Sequence, residues 1–189
     1  MANLRLFFAL ELGAAARARA ARIAAALREH TGGRDVRWVR EESLHVTLRF
    51  LGSVDPARVA DLAREVGAAT RGVAPFAASL AGLELFPSPR RPRVVALGLE
   101  PAAALCALAE AVERGAVAAG FAPEARAFRP HLTLGRTRDQ RRFRLAADVT
   151  ASVTAPGESW EVVETVLFCS DLALGGARYA PLARVPLHP

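Results

Sequence analysis

Apolar and polar positions run along this chain with two different periods, and each change of period marks an element. Leu4 to Leu10 is a short apolar run read as a strand. An Ala/Arg-rich stretch from about Ala14 to Glu29 is read as a helix, ended by Gly32-Gly33. Val36 to Val39 is a second strand, and beyond the polar turn Glu41-Glu42-Ser43 a third runs from Ser43 to Leu51. Asp55-Pro56 opens a helix with a cap and a proline in its first turn. Val59, Leu62 and Val66 give that helix a buried stripe, and Gly72 lies past its end. Pro75 to Phe86 and Arg93 to Leu99 are strands divided by the loop Pro87-Ser88-Pro89-Arg90-Arg91-Pro92. Pro101 opens a helix with Leu105, Leu108 and Val112 on one face, ended by Gly120. Phe128 to Leu134 reads as a strand, Asp139 to Ala147 as a short helix, and Glu161 to Cys169 and Tyr179 to Val185 as closing strands joined through Gly175-Gly176.

Strands and helices thus alternate in two similar halves. The expectation is an α+β fold, two-lobed and pseudo-symmetric, with two antiparallel-rich sheets lining a central groove and helices outside. No low-complexity linker or charge run divides the sequence, so residues 1–189 are expected to form a single two-lobed domain. A hydrophobic content of 52% supplies a core and argues against disorder. The apolar run Leu4 to Leu12 is interrupted by Arg5 and Glu11. It lacks a signal-peptide layout and is too short to span a bilayer, so a cytoplasmic protein with no membrane partner is expected. Monomer is the default oligomeric state.

Charge narrows the chemistry. The net charge is +6, and the sequence holds no lysine, so every cationic side chain other than histidine is arginine. Lysine nucleophiles, Schiff bases, a Walker P-loop and ligation through a lysyl-adenylate are therefore excluded. Many arginines favour anionic partners, phosphate above all, by charge and by bidentate geometry. Cys106 lies in a helical stretch and Cys169 in a strand-like one, neither with metal-ligand spacing; both are read as core residues of a reduced protein. With no metal-spaced cluster of His, Cys or carboxylates, a mechanism without metal or cofactor is expected.

Two of the four histidines stand in the same short phrase, His45-Val46-Thr47-Leu48 and His131-Leu132-Thr133-Leu134. On a strand, His45 and Thr47 share one face and the aliphatics the other, and the second copy repeats this. One such phrase reads as a half-buried strand histidine; two facing each other present two imidazoles and two hydroxyls to one substrate. Imidazole titrates near neutrality, so one ring can act as general base and the other as general acid on a phosphate ester. Thr47 and Thr133 would hydrogen-bond the non-bridging oxygens, and Arg136 would add a fixed positive charge. No Gly-x-Ser-x-Gly elbow is present. His30, ending the first helix, is assigned to the helix dipole, and His188, in the C-terminal tail, is read as exposed; neither is given a role.

The paired motifs carry a resemblance. Val36-Arg37-Trp38-Val39 leads into Leu44-His45-Val46-Thr47-Leu48-Arg49-Phe50-Leu51-Gly52, and the second copy reads Phe128-Arg129-Pro130-His131-Leu132-Thr133-Leu134-Gly135-Arg136. Together they resemble the 2H phosphoesterase superfamily and, within it, the bacterial and archaeal RNA 2′,3′-cyclic phosphodiesterases, also called 2′–5′ RNA ligases. Arg5-Leu6-Phe7, the Phe86-Pro87 to Arg93 loop and Tyr179-Ala180-Pro181-Leu182 fit as well. The resemblance implies hydrolysis of an RNA 2′,3′-cyclic phosphate end to a 2′-phosphomonoester. It implies His45 as proton donor to the leaving 3′-oxygen, His131 as acceptor activating water, and Thr47, Thr133 and Arg136 on the phosphate. The implied partner is an RNA or oligonucleotide with a 2′,3′-cyclic phosphate end. Alternatives are a nucleotide- or RNA-binding module without turnover, and ligation of the same ends as the main activity. Ala96 departs from relatives that often carry an aromatic there. If that aromatic stacks on a base, nucleotide grip would be weaker here or supplied by another ring; Phe7, Trp38, Phe50 and Phe128 include candidates, though most of these are read as core. Arg90-Arg91-Arg93 and Arg136-Arg138-Arg141-Arg142-Arg144 are read either as lining the groove or as a solvated basic face.

Overall fold

A computed structural model describes residues 2–31, 35–139, 143–145, 153, 158–173 and 176–189. The strands are β1 (Leu4–Glu11), β2 (Val36–Trp38), β3 (His45–Val54), β4 (Phe76–Phe86), β5 (Val94–Glu100), β6 (His131–Thr137), β7 (Ser159–Val162), β8 (Glu164–Ala173) and β9 (Gly176–Pro186). The α-helices are α1 (Ala14–His30), α2 (Val59–Ala69) and α3 (Ala102–Ala118). Asp55 starts its segment as expected, its carboxylate accepting from Ala57 N at 2.9 Å, but Pro56–Arg58 forms a 3₁₀ turn before α2 begins.

One sheet has the order β3-β1-β8-β9 and the other β2-β6-β5-β4-β7, with every neighbouring pair antiparallel. The α+β architecture with two antiparallel sheets is as expected. Each half of the sequence feeds both sheets: β2 leaves the first half to pair with β6, and β8 and β9 return from the second half to pair beside β1. β1 is apolar on both faces because both are covered. Leu6, Phe8 and Leu10 enter the main core, while Phe7 and Ala9 join a smaller cluster with Val166, Phe168 and Tyr179. β3 approaches β6 across the space between the sheets, and α3 contacts both β3 and β5.

Three expectations are corrected. Phe128–Pro130 is not strand: proline has no N–H to give a ladder, and pairing with β5 starts at His131. The stretch Glu161 to Cys169 is two strands, because the chain passes at Val163 from the sheet edge beside β4 to the other sheet beside β1. Cys106 and Cys169 are free and half-buried rather than fully buried, Cys169 packing against the main core. The helix expected over Asp139 to Ala147 lies for the most part outside the described residues.

Candidate active site

The two motif strands carry matching irregularities. Along β3, Ala9 faces Thr47 but Phe8 faces Arg49, so Leu48 is an extra residue in the ladder. Along β6, Ala96 faces Thr133 but Val95 faces Gly135, so Leu134 is extra in the same way. Each bulge directly follows the motif threonine and reverses the alternation beyond it. The residue three places past the threonine therefore returns to the face of the histidine: Phe50 in the first copy, Arg136 in the second. Gly135 is needed at its position, because a Cβ there would stand 2.5 Å from Val36 Cγ1.

His45, Thr47, His131, Thr133 and Arg136 are brought together. With Phe50, Tyr179, Val39 and Ser43 they line a narrow recess of about 80 Å³. The two imidazoles are held alike. His45 Nδ1–H donates to the Ser43 carbonyl at 2.8 Å and His131 Nδ1–H to the Arg129 carbonyl at 2.7 Å, each two residues back. Both rings thus present Nε2 to a ligand. They differ in their surroundings. Thr47 Oγ1 lies 3.0 Å from His45 Nε2 and, with Nδ1 protonated, donates to it. His131 Nε2 has no partner among the described residues.

Phe7 packs 4.9 Å from the His45 ring and Tyr179 meets it edge-on at 4.8 Å. This burial pushes the His45 pKa below its ordinary value; the Arg136 charge adds to the shift, and the Ser43 carbonyl opposes it. Burial raises the Tyr179 pKa, against the charges of Arg136 and Arg5. His131 lies on the more open side, against Phe86 at 5.1 Å. The Arg129 guanidinium covers that ring at 4.5 Å and pairs with Glu84 at 3.1 Å.

The recess opens into a wider cleft of about 680 Å³ that shares Thr47, Phe50, His131, Thr133 and Arg136 and extends past Phe86, Phe128 and Glu110. Here lies a network that sequence reasoning missed. Arg49 projects from β3, meets Glu113 of α3 and Glu124 beyond it, and donates to the Ala122 and Phe50 carbonyls. Nothing in local sequence marks this pairing of residues more than sixty positions apart. Of the two arginine clusters, only Arg136 lines either cavity; Arg90, Arg91, Arg93 and Arg138 are exposed elsewhere, and Arg141 and Arg142 lie outside the described residues. His30 bonds the Ala26 carbonyl in the last turn of α1, and His188 is exposed. No group of His, Cys, Asp and Glu among the described residues is placed to hold a metal ion.

A family model described as LigT like phosphoesterase matches twice, over residues 10–96 and 97–179, one motif in each match. An RNA 2′,3′-cyclic phosphodiesterase of Methanothermobacter thermautotrophicus is 33% identical over 95% of this chain and 97% of its own length. One of Geobacillus stearothermophilus is also 33% identical, over 79% of this chain, which spans about half of that relative (47%). The crystal structure of apo LigT from Escherichia coli superposes with a TM-score of 0.77 at 30% identity, covering 100% of both chains. LigT has also been crystallised with phosphate and with 3′-AMP. A family model matched over both halves of the chain, and a relative 33% identical across nearly the whole length of both proteins, make this chain a member of the LigT-like phosphoesterase family.

Proposed function

We propose that this protein hydrolyses RNA ends bearing a 2′,3′-cyclic phosphate, opening the ring to a 2′-phosphomonoester and a free 3′-hydroxyl. The observation that carries this reading is the pair of imidazoles, each fixed through Nδ1 and offering Nε2 to one recess that also holds two hydroxyls and a guanidinium. The activity named for the relatives of this chain supports it.

His131 Nε2, neutral, takes a proton from water as the water oxygen bonds to phosphorus. Protonated His45 gives its Nε2 proton to the 3′-oxygen as the bond from phosphorus to that oxygen breaks. Thr47, Thr133 and Arg136 hold the non-bridging oxygens and stabilise the charge that grows on them. His45 must be charged to act as the acid, yet burial and the Arg136 charge depress its pKa. An anionic phosphate beside Arg136 offsets that positive charge and shifts the His45 pKa upward, against the larger effect of burial. Once protonated, Nε2 can no longer accept from Thr47, and the hydroxyl turns to the phosphate. The active unit is taken to be a monomer, one two-lobed domain over residues 1–189, acting in the cytoplasm. The interleaving of the two sequence halves in both sheets supports the single domain.

The test is incubation, with EDTA present, of purified protein with a short RNA ending in a 2′,3′-cyclic phosphate. The expected product is the 2′-phosphate end. His45→Ala and His131→Ala each reduce the rate by roughly 10²–10⁴-fold while circular dichroism stays unchanged. A joined strand would identify ligation, and RNA binding without product would identify a binding module.

A further inference from the structure

We propose that Tyr179 is a further catalytic residue, its phenol O–H donating to a non-bridging oxygen of the phosphate held in the recess, an inference that rests on the hydrolase reading above. The first argument is reach. Tyr179 stands on β9, the third strand over from β3 in its sheet. In a flat sheet that spacing would put it about 14 Å from the motif strand. Its ring nevertheless meets the His45 ring edge-on at 4.8 Å and the Phe7 ring edge-on at 5.2 Å. The side chain is carried over β8 and β1, and it lines the recess with both imidazoles, both motif threonines and Arg136.

The second argument is the hydroxyl. Packing against His45 and Phe7 needs only a ring, so it leaves the phenol oxygen without a purpose. The two edge contacts fix the plane of that ring and with it the line along which the oxygen points. Tyr179 is half-buried, and its O–H has no hydrogen-bond partner among the described residues. Thr47, by contrast, donates to His45 Nε2. Tyr179 therefore offers its proton to a ligand without first giving up a bond inside the protein. The ring that faces His131 is Phe86, which has no hydroxyl, so the extra donor stands on the side of the acid alone.

The third argument is charge. Arg136 and Arg5 both act on the phenol, and burial outweighs them, so the hydroxyl keeps its proton at neutral pH. It is a neutral donor in the field of two guanidiniums, the field that draws an anion into the recess. A donor fixed in advance beside oxygens that gain charge during the reaction stabilises the transition state more than the bound substrate.

The experiment uses the full chain and Tyr179→Phe, which removes the hydroxyl and keeps the ring against His45 and Phe7. On adenosine 2′,3′-cyclic phosphate, kcat is expected to fall roughly 10- to 100-fold, less than for a principal oxyanion donor because Arg136 and both threonines remain. A fall smaller than about 5-fold overturns the proposal by showing that only the ring is needed. Calorimetric titration with inorganic phosphate separates direct contact from action through the imidazole. Direct contact predicts that Tyr179→Phe weakens phosphate binding roughly 2- to 10-fold, both in the wild-type protein and in a His45→Ala background. A weakening that vanishes in that background, or none in either, overturns the proposal. If the wild-type protein turns over no cyclic phosphate, the hydrolase reading fails by itself. The two phosphate titrations then decide for Tyr179: the same weakening in both sustains the contact, and any other pattern, absence of binding included, overturns it.

Discussion

His45 and His131 share a motif and a backbone clamp but not an electrostatic environment. His45 sits under Phe7 and against Tyr179 with Arg136 nearby, and its pKa is held below the ordinary value near 6.5. The sign of the consequence for stability follows from which state binds the proton first. Below about pH 6.5 the unfolded chain takes up a proton that the folded His45 still refuses, so folding loses free energy as pH falls through that range. The contribution is fully present above the unfolded pKa and is gone once pH passes below the folded one. Urea midpoints measured from pH 7 to pH 5 should fall more steeply for wild type than for His45→Gln, which carries no titrating ring. Saturating inorganic phosphate should reduce the difference, because an anion beside Arg136 raises the His45 pKa. Parallel curves for the two proteins would show that the ring is not depressed.

At the scale of elements, most of the layout is legible in the sequence. The alternation around His45 and His131, the Asp55-Pro56 start and the stripe Leu62, Val66 mark their strands and helix because local period and capping decide them. The exceptions have physical reasons. No glycine or proline marks Val163, so nothing local separates β7 from β8; the break arises from the two sheets that claim its flanks. Strict alternation would put Arg136 behind the sheet with Leu132 and Leu134, and the bulge that reverses this is visible only in the pairing with β5. Arg49, Glu113 and Glu124 were illegible for a similar reason, since only the packing of α3 against β3 brings them together. The helices carry their own constraint. A Cβ on Gly115 of α3 would stand 2.5 Å from Val66 Cα and 2.9 Å from the Glu65 carbonyl of α2, backbone atoms that cannot swing aside. Gly115→Ala should therefore push the helices apart and cost about 1–3 kcal/mol. A calorimetric scan reads this at roughly 2–4 °C of Tm per kcal/mol for a chain of this size, and an unchanged Tm would refute the close approach.

Across the whole molecule, Arg49 joins what the two sheets hold apart. It leaves β3, with 10% of its side chain exposed, to reach Glu113 on α3 and Glu124 on the segment that leads to β6. Arg49→Ala leaves Glu113 facing the cleft without its partner, and we expect a loss of about 1–3 kcal/mol, toward the lower end because Glu124 is 45% exposed. The same variant should raise KM more than it lowers kcat, since it loosens the cleft wall without touching either imidazole. A variant with wild-type stability and KM would show that the network is idle. The exchange of Phe50 for Arg136 across the pseudo-two-fold bears on a different property. A cyclic phosphate presents two ester oxygens of nearly equal reactivity, and a site with identical halves would admit it either way round. Each histidine would then protonate the 2′-oxygen in one pose and the 3′-oxygen in the other, and a mixture of isomers would leave the enzyme. On the proposed reaction, a ring on one side and a cation on the other would remove that degeneracy before any bond breaks, so that two residues outside the proton transfers would set the regiochemistry of the product.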